Sequence, residues 1–412
     1  MRTSKEKKTF VMICILACAN TALYGLPYMK SQFYDVMLEV LHLNHTQLSM
    51  LFSINGMVCM AAYIFGGIIT DYFSVKKLMV GALIVSGILH LYVVTVPSYP
   101  VLCVIYALLA VTSVLIFYPA SMKTLTYLGE EGKQGSVFGY YIAAIDIIGI
   151  LVVGIGLIVM MITNKSVIVF RIIIFLYGAL HFIAAFYLWR FFEEKEYQSS
   201  DNRIKAGEIL RIITDKKIWG VIFIIFSNYL MMSAMTYVIP YLSQMYGVKE
   251  QNIVILSIVR VNLIAIVAGP LAGKIVDKIG SAIQLMKVTF IISTILILGI
   301  LASFYFKLSV RIVIVIILLI TLMIVSAKSL NLVMLSEIKV PATYMGTAIG
   351  IVSFLGYSPD AFFYSFAGMA IDYYQIKGYE YIFIAFLVCS VIGAVASYFL
   401  TRMLSKENEV QK

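Results

Sequence analysis

The sequence predicts an all-α membrane protein, with twelve transmembrane helices in two related six-helix halves. Three observations predict it. The chain has 412 residues and is 62% hydrophobic, where a soluble domain is nearer half. A spanning helix takes about 20 apolar residues, so twelve spans with short loops use almost the whole length. The stretch Tyr24-Gly25-Leu26-Pro27-Tyr28-Met29-Lys30 recurs in outline as Tyr237-Val238-Ile239-Pro240-Tyr241-Leu242-Ser243, about half the chain later. With the N-terminus inside, segments expected in the cytoplasm carry 20 Lys and Arg and the outer ones six, the bias that fixes orientation. Both termini are then cytoplasmic. The net charge of +10 is mostly this topology signal, and no nucleic-acid partner is expected.

Span 1 runs from about Phe10 towards Val40, bent at Pro27. Its basic start and apolar run resemble a signal peptide but continue past that length, so an uncleaved first helix is expected. Asn44 or Thr46 reads as the N-cap of span 2, which ends at Gly67-x-x-x-Asp71 before Lys76-Lys77. Span 3 covers about 78–96. Span 4 follows Pro97-Ser98-Tyr99-Pro100 and holds Pro119 and Lys123. The loop Gly129–Gly135 leads into span 5 with Asp146, and span 6 runs to about Trp189. Residues 192–217 are the one long hydrophilic stretch and the expected boundary between halves 1–191 and 218–412. Span 7 carries Tyr237–Ser243. Span 8 carries Arg260 and ends at Gly273-x-x-x-Asp277. Span 9 runs to about Phe304. Spans 10 and 11 hold Lys328 and Pro359-Asp360, and span 12 ends near Leu404.

The two proline copies matter most. Pro removes a backbone donor and bends a helix, and in lipid the freed carbonyl must be covered by protein or a water-filled cavity. Broken helices lined by Tyr24, Tyr28, Tyr237 and Tyr241 are therefore expected around a central site. Gly67/Gly273, Gly135/Gly346 and Gly139/Gly350 further mark the repeat; glycines four apart allow close helix packing.

Twelve helices in two parallel halves, with a Gly-x-x-x-Asp turn after spans 2 and 8, resemble the major facilitator superfamily over essentially the whole chain. That family's turn reads roughly Gly-x-x-x-Asp-Arg-x-Gly-Arg-Lys. Gly67, Asp71, Lys76 and Lys77 fit it, with Tyr72 and Ser74 as departures; Gly273, Asp277, Lys278 and Gly280 fit it in the second copy. The resemblance implies that these residues form a cytoplasmic gate. Leu26-Pro27-x-x-Lys30, Pro119-x-x-x-Lys123, Phe138-Gly139 and Ser353-Phe354-x-Gly356-Tyr357-x-Pro359 are similar to bacterial permeases of sulfonated-sugar breakdown, relatives of organic-anion and organophosphate exchangers.

Charge inside the hydrocarbon region costs about 3 kcal/mol per group on insertion scales and marks pathways. Lys30, Lys123, Arg260 and Lys328 stand out there, with Asp146 and Asp360. Excess positive charge is what an anionic substrate needs. Lys30 either faces the cavity or snorkels outward, and Lys123 has the same choice inward. Lys328 shares a helical stripe with Thr321 and Asn331. The family places spans 5 and 8 together across the halves, so Asp146 and Arg260 are expected to pair as a latch or proton-coupling site; Asp360 is the other coupling candidate. His181 reads as packing. The five cysteines show no metal or disulfide spacing. No nucleotide fingerprint is present, so no cofactor is expected and an ATP-driven pump has no engine. A monomeric secondary transporter of a small organic anion in the cell membrane follows, using protons or exchange. The rivals are a carrier of a neutral sugar or drug-like solute and a membrane sensor.

Overall fold

In the computed structural model the backbone is described for residues 4–128, 134–192, 212–331, 333–341 and 345–410. Every long element among them is helical. Ten helices are long and apolar enough to cross a membrane. The remaining two expected spans fall on α3 (His45–Tyr72) and on the broken pair α16 (Met345–Gly356) and α17 (Pro359–Tyr374). The chain forms two compact units: Met1–Ser200 with Lys249–Ile258, and Asp201–Val248 with Val259–Lys412. Most of the expected boundary, 193–211, lies outside the described residues.

In the first unit α1 (Ser4–Tyr28) and α2 (Lys30–Leu41) make up span 1. Pro27 is carried inside α1. The break falls after Tyr28, at a tightened turn in which the Met29 N–H donates to the Leu26 carbonyl, and Phe33 is again non-helical. α4 (Val75–Val93) starts at Ser74, whose side chain accepts from the Lys77 N–H at 3.2 Å. Span 4 comprises α5 (Tyr99–Ala110), a π-helical turn (Val111–Phe117) and α6 (Tyr118–Leu128). Pro119 cannot donate to the Leu115 carbonyl, and the widened turn precedes it as that loss requires. α7 (Gln134–Thr163) and α8 (Ser166–Phe191) complete the unit. Its core joins Leu16, Leu23, Leu83, Phe117 and Leu188.

In the second unit span 7 is α9 (Lys216–Ala234), a 3₁₀ turn (Met235–Tyr237) and α10 (Val238–Tyr246). The 3₁₀ turn lies just ahead of Pro240, where that proline disturbs the preceding carbonyls. Span 8 is α11 (Glu250–Ile258), assigned to the first unit, then a second π-helical turn (Val259–Leu263) and α12 (Ile264–Ile279). α13 (Ala282–Tyr305), α14 (Val310–Leu330), the short α15 (Val333–Glu337), α16, α17 and α18 (Ile376–Val410) follow. The helix of span 12 thus continues to Val410, six residues past the expected end of the span. Phe175, Phe186, Ile295, Val388 and Phe399 are all exposed, as suits a helix surface solvated by lipid.

Candidate functional site

Lys30 is the first residue of α2 and is only 6% exposed, while Tyr28 is 44% exposed. On an ideal helix the two lie about 200° apart. The tight turn at Met29 removes that separation, and the Lys30 ammonium comes to 5.6 Å from the Tyr28 ring centroid. It stands 4.6 Å from that of Phe52, itself buried between Tyr34 and Tyr106. Tyr24 meets Tyr28 edge-on at 5.8 Å. The first copy of the motif thus presents an ammonium set among aromatic faces, worth about 0.5–2 kcal/mol per cation–π contact. The side chain is buried among these rings.

The second copy is built differently. Tyr237 and Tyr241 are fully buried. The Tyr237 hydroxyl donates to the Tyr364 carbonyl at 2.9 Å. That of Tyr241 bonds Ser303 at 2.5 Å, inside a ring cluster with Phe304, Tyr379 and Phe383. Both are packed into the helix bundle. The symmetry expected of the four tyrosines does not extend to their surroundings, because span 7 lays its tyrosines against α13, α17 and α18.

Arg260 occupies the π-helical turn of span 8 and is 5% exposed. Its Nη1 donates at 3.0 Å to the carbonyl of Met235, the first residue of the 3₁₀ turn in span 7. The guanidinium therefore covers a carbonyl where span 7 loses its regular hydrogen bonding. No proline lies within a turn of this π segment, and π turns are frequent at functional sites. Asn262 in the same turn is also buried, its Oδ1 without a partner among the described residues; the sequence offered no signal for it.

Asp360, in the first turn of α17, accepts a short hydrogen bond from Ser233 of α9. Along this helix pair Tyr229 stacks on Tyr357 at 4.3 Å, and Tyr237 reaches Tyr364 one turn further. Residues four apart along span 7 thus meet α17 and its approach in sequence. Of the expected polar stripe, Thr321 and Asn331 are buried and Lys328 is exposed. The Thr321 hydroxyl is spent on its own helix at the Ile317 carbonyl, 2.9 Å away. Lys123 on α6 and Asp146 on α7 are half-buried.

At the expected gate, the surroundings of Gly67 and the side chain of Asp71 lie outside the described residues. Lys76 stands 5.4 Å from the Trp189 ring. Asp277 and Lys278 are exposed. Gly280 takes φ +79° and ends α12, a left-handed turn that favours glycine, whereas Ser74 at the equivalent place has φ −56° and caps α4. The departure at Ser74 is thus accommodated locally. Glu337 was not expected: its carboxylate accepts from the Ser281 hydroxyl and from the N–H groups of Ala282 at 2.8 Å and Ile283 at 3.1 Å, tying α15 to the start of α13. Of the repeat glycines, the described Gly139, Gly273 and Gly350 do not pack closely as expected: a Cβ on any of them would meet nothing within 4 Å. Close approaches fall at Gly25, Gly156, Gly356 and Gly393.

Comparison with known proteins supplies the family. A sequence model of the Major Facilitator Superfamily matches residues 9–363. Inner membrane protein YihN of Escherichia coli K12 is 25% identical over 411 residues, 98% of each chain. Inner membrane protein YqcE of the same organism is 23% identical over 370 residues, 88% of this chain and 87% of that one. Among solved structures, a bacterial homolog of the human lysosomal transporter Spinster, inward-facing, aligns with a TM-score of 0.73 at 13% identity, covering 98% of this chain and 99% of that one. The nucleoside transporter NupG aligns at 0.72 and 12% identity, covering 96% and 99%. The fold is that of the transporters in this group, and the chain belongs to the Major Facilitator Superfamily.

Proposed function

We propose that this chain is a secondary transporter of a small organic anion: a carboxylate, a sulfonate, or a sugar acid or phosphate. Two six-helix halves rock around a site near the bilayer midplane, and a proton gradient or exchange drives the cycle. The protein works as a monomer in the cell membrane with both termini cytoplasmic. The observation that carries the reading is Lys30, a primary ammonium 6% exposed within a membrane-embedded aromatic setting. A cation kept there at the cost of desolvation marks a pathway. Tyr24 and Tyr28 offer hydroxyls and faces beside it. Lys123, Lys328 and Asn331 supply the remaining polarity, while Tyr237 and Tyr241 act as packing that holds span 7. Asp146 and Arg260 pair during the cycle as the coupling element, with Asp360 as the second proton acceptor. Gly67, Asp71, Lys76, Gly273, Asp277 and Lys278 form the cytoplasmic gate.

Thermal stability of the purified protein, followed across carboxylates, sulfonates, sugar phosphates and neutral sugars, tests the substrate class. A bound ligand stabilises by mass action. The expected outcome is a saturable upward shift with one anion class and none with neutral sugars. A shift with neutral sugars alone would replace the anion by a neutral solute. The pairing is tested separately: Arg260→Ala should harm uptake more than Arg260→Ala with Asp146→Ala, and additive losses would remove the pair.

A further inference from the structure

Helices α4 and α8 carry the same four-residue pattern, Gly87-Ile88-Leu89-His90 and Gly178-Ala179-Leu180-His181. The two copies face each other reciprocally. A Cβ on Gly87 would meet the Cβ of His181 at 3.0 Å, and one on Gly178 would meet that of His90 at 3.7 Å and Leu91 at 2.8 Å. Each glycine therefore makes room for the other helix's histidine. The rings lie 4.5 Å apart, tilted by 44°, and both residues are fully buried.

Their tautomers follow from their partners. His90 Nδ1 sits 2.8 Å from the Ser86 carbonyl and His181 Nδ1 sits 2.7 Å from the Tyr177 carbonyl. A carbonyl only accepts, so each Nδ1 carries the proton and each Nε2 keeps a lone pair. Both Nε2 atoms are buried with no hydrogen-bond partner among the described residues. The nearby hydroxyls are taken: Ser86 and Thr112 bond each other at 2.6 Å.

We propose that His90 and His181 form a proton-binding site at the α4–α8 joint: the pair is neutral when packed, and one proton taken from solvent on an Nε2 opens the joint. The step forms one N–H bond and breaks one O–H bond of the hydronium ion that delivers the proton, leaving water. Charge on one ring then faces a second imidazole across a close-packed interface, where an unpaired charge is strongly disfavoured.

The surrounding elements bring little to offset it. Neither α4 nor α8 contains an Asp or Glu. Tyr177, whose ring is 6.4 Å from His90, is the titratable neighbour on α8. Lys76, Lys77, Arg171 and Arg190 are nine or more residues away along their own helices, about 14 Å or more. The π turn and α5, both packed on α4, carry no charged side chain, and α6 carries only Lys123. Of the other packed elements, α1 has a carboxylate only at Glu6 in its first turn, and its other charges, Lys5, Lys7 and Lys8, lie at the same end. α2 has Lys30, Asp35 and Glu39, and α7 has Asp146. Asp146 is ten residues from Gly156, where α7 meets Ile173 of α8, and so points about 80° away from that face.

An imidazole held neutral in the joint gains its proton once the joint opens. Acid below the ordinary imidazole value of about 6.5 therefore favours the opened state. The test is the thermal midpoint of the purified full-length chain in detergent between pH 8 and 5, with and without His90→Leu/His181→Leu. His42 and His45, the other two histidines, are present in both proteins and cancel. The wild-type midpoint should fall more than that of the double variant over this range, by on the order of 2–4 °C; parallel curves would overturn the proposal. ¹⁵N-histidine spectra give a second readout should the variant not fold. Two histidines should show the neutral Nδ1–H signature at pH 8 and lose it as the midpoint drops. Retention of that signature at pH 5 would also overturn it. Neither measurement needs a substrate, so the outcome is separate from the anion reading.

Discussion

Tyr28 and Tyr241 hold the same place in a repeated motif and fare in opposite ways. Tyr28 is 44% exposed, whereas Tyr241 is fully buried with its hydroxyl bonded to Ser303. Sequence alone shows that a polar atom is present; its partner is set by the neighbouring helix. His181 reads as packing from sequence, and the structure buries it against Gly87 and His90. Tyr237→Phe removes one hydrogen bond to a backbone carbonyl. It should cost about 1 kcal/mol of stability, read as a lower thermal midpoint, with substrate affinity unchanged. A large loss of affinity at intact stability would instead put Tyr237 in the substrate site.

Among the elements, the irregular turns were partly legible. Pro119 and Pro240 announce defects one turn upstream, and the π turn before Pro119 and the 3₁₀ turn before Pro240 lie there. Pro27 sits inside a continuing helix, and the break follows it at Met29. The π turn around Arg260 has no sequence cause to read. Glycine spacing was the weakest guide, because which glycine touches a neighbour depends on helix rotation. Gly25 is the informative case: its Cβ would lie 2.5 Å from the Tyr177 ring. Gly25→Ala should therefore destabilise by about 1–3 kcal/mol through overpacking, and trimming Tyr177 to Leu should recover part of the loss. Gly139→Ala, facing open space in a helix, should be neutral or stabilising by up to about 1 kcal/mol. Thermal midpoints of the three variants decide both points. Equal losses at positions 25 and 139 would contradict the packing described.

For the whole molecule, the two-unit helical architecture was readable from composition, repeat and charge bias because the bilayer permits few solutions. The cargo was not, because its recognition rests on a handful of side chains whose surroundings decide their role. Counterflow in proteoliposomes tests the central claim most directly. Vesicles loaded with an anion that stabilises the protein should accumulate the labelled anion, and Lys30→Gln should slow this by roughly tenfold or more, the loss of a charge-assisted contact. Counterflow undiminished in both Lys30→Gln and Lys328→Gln would contradict an anion held by these cations.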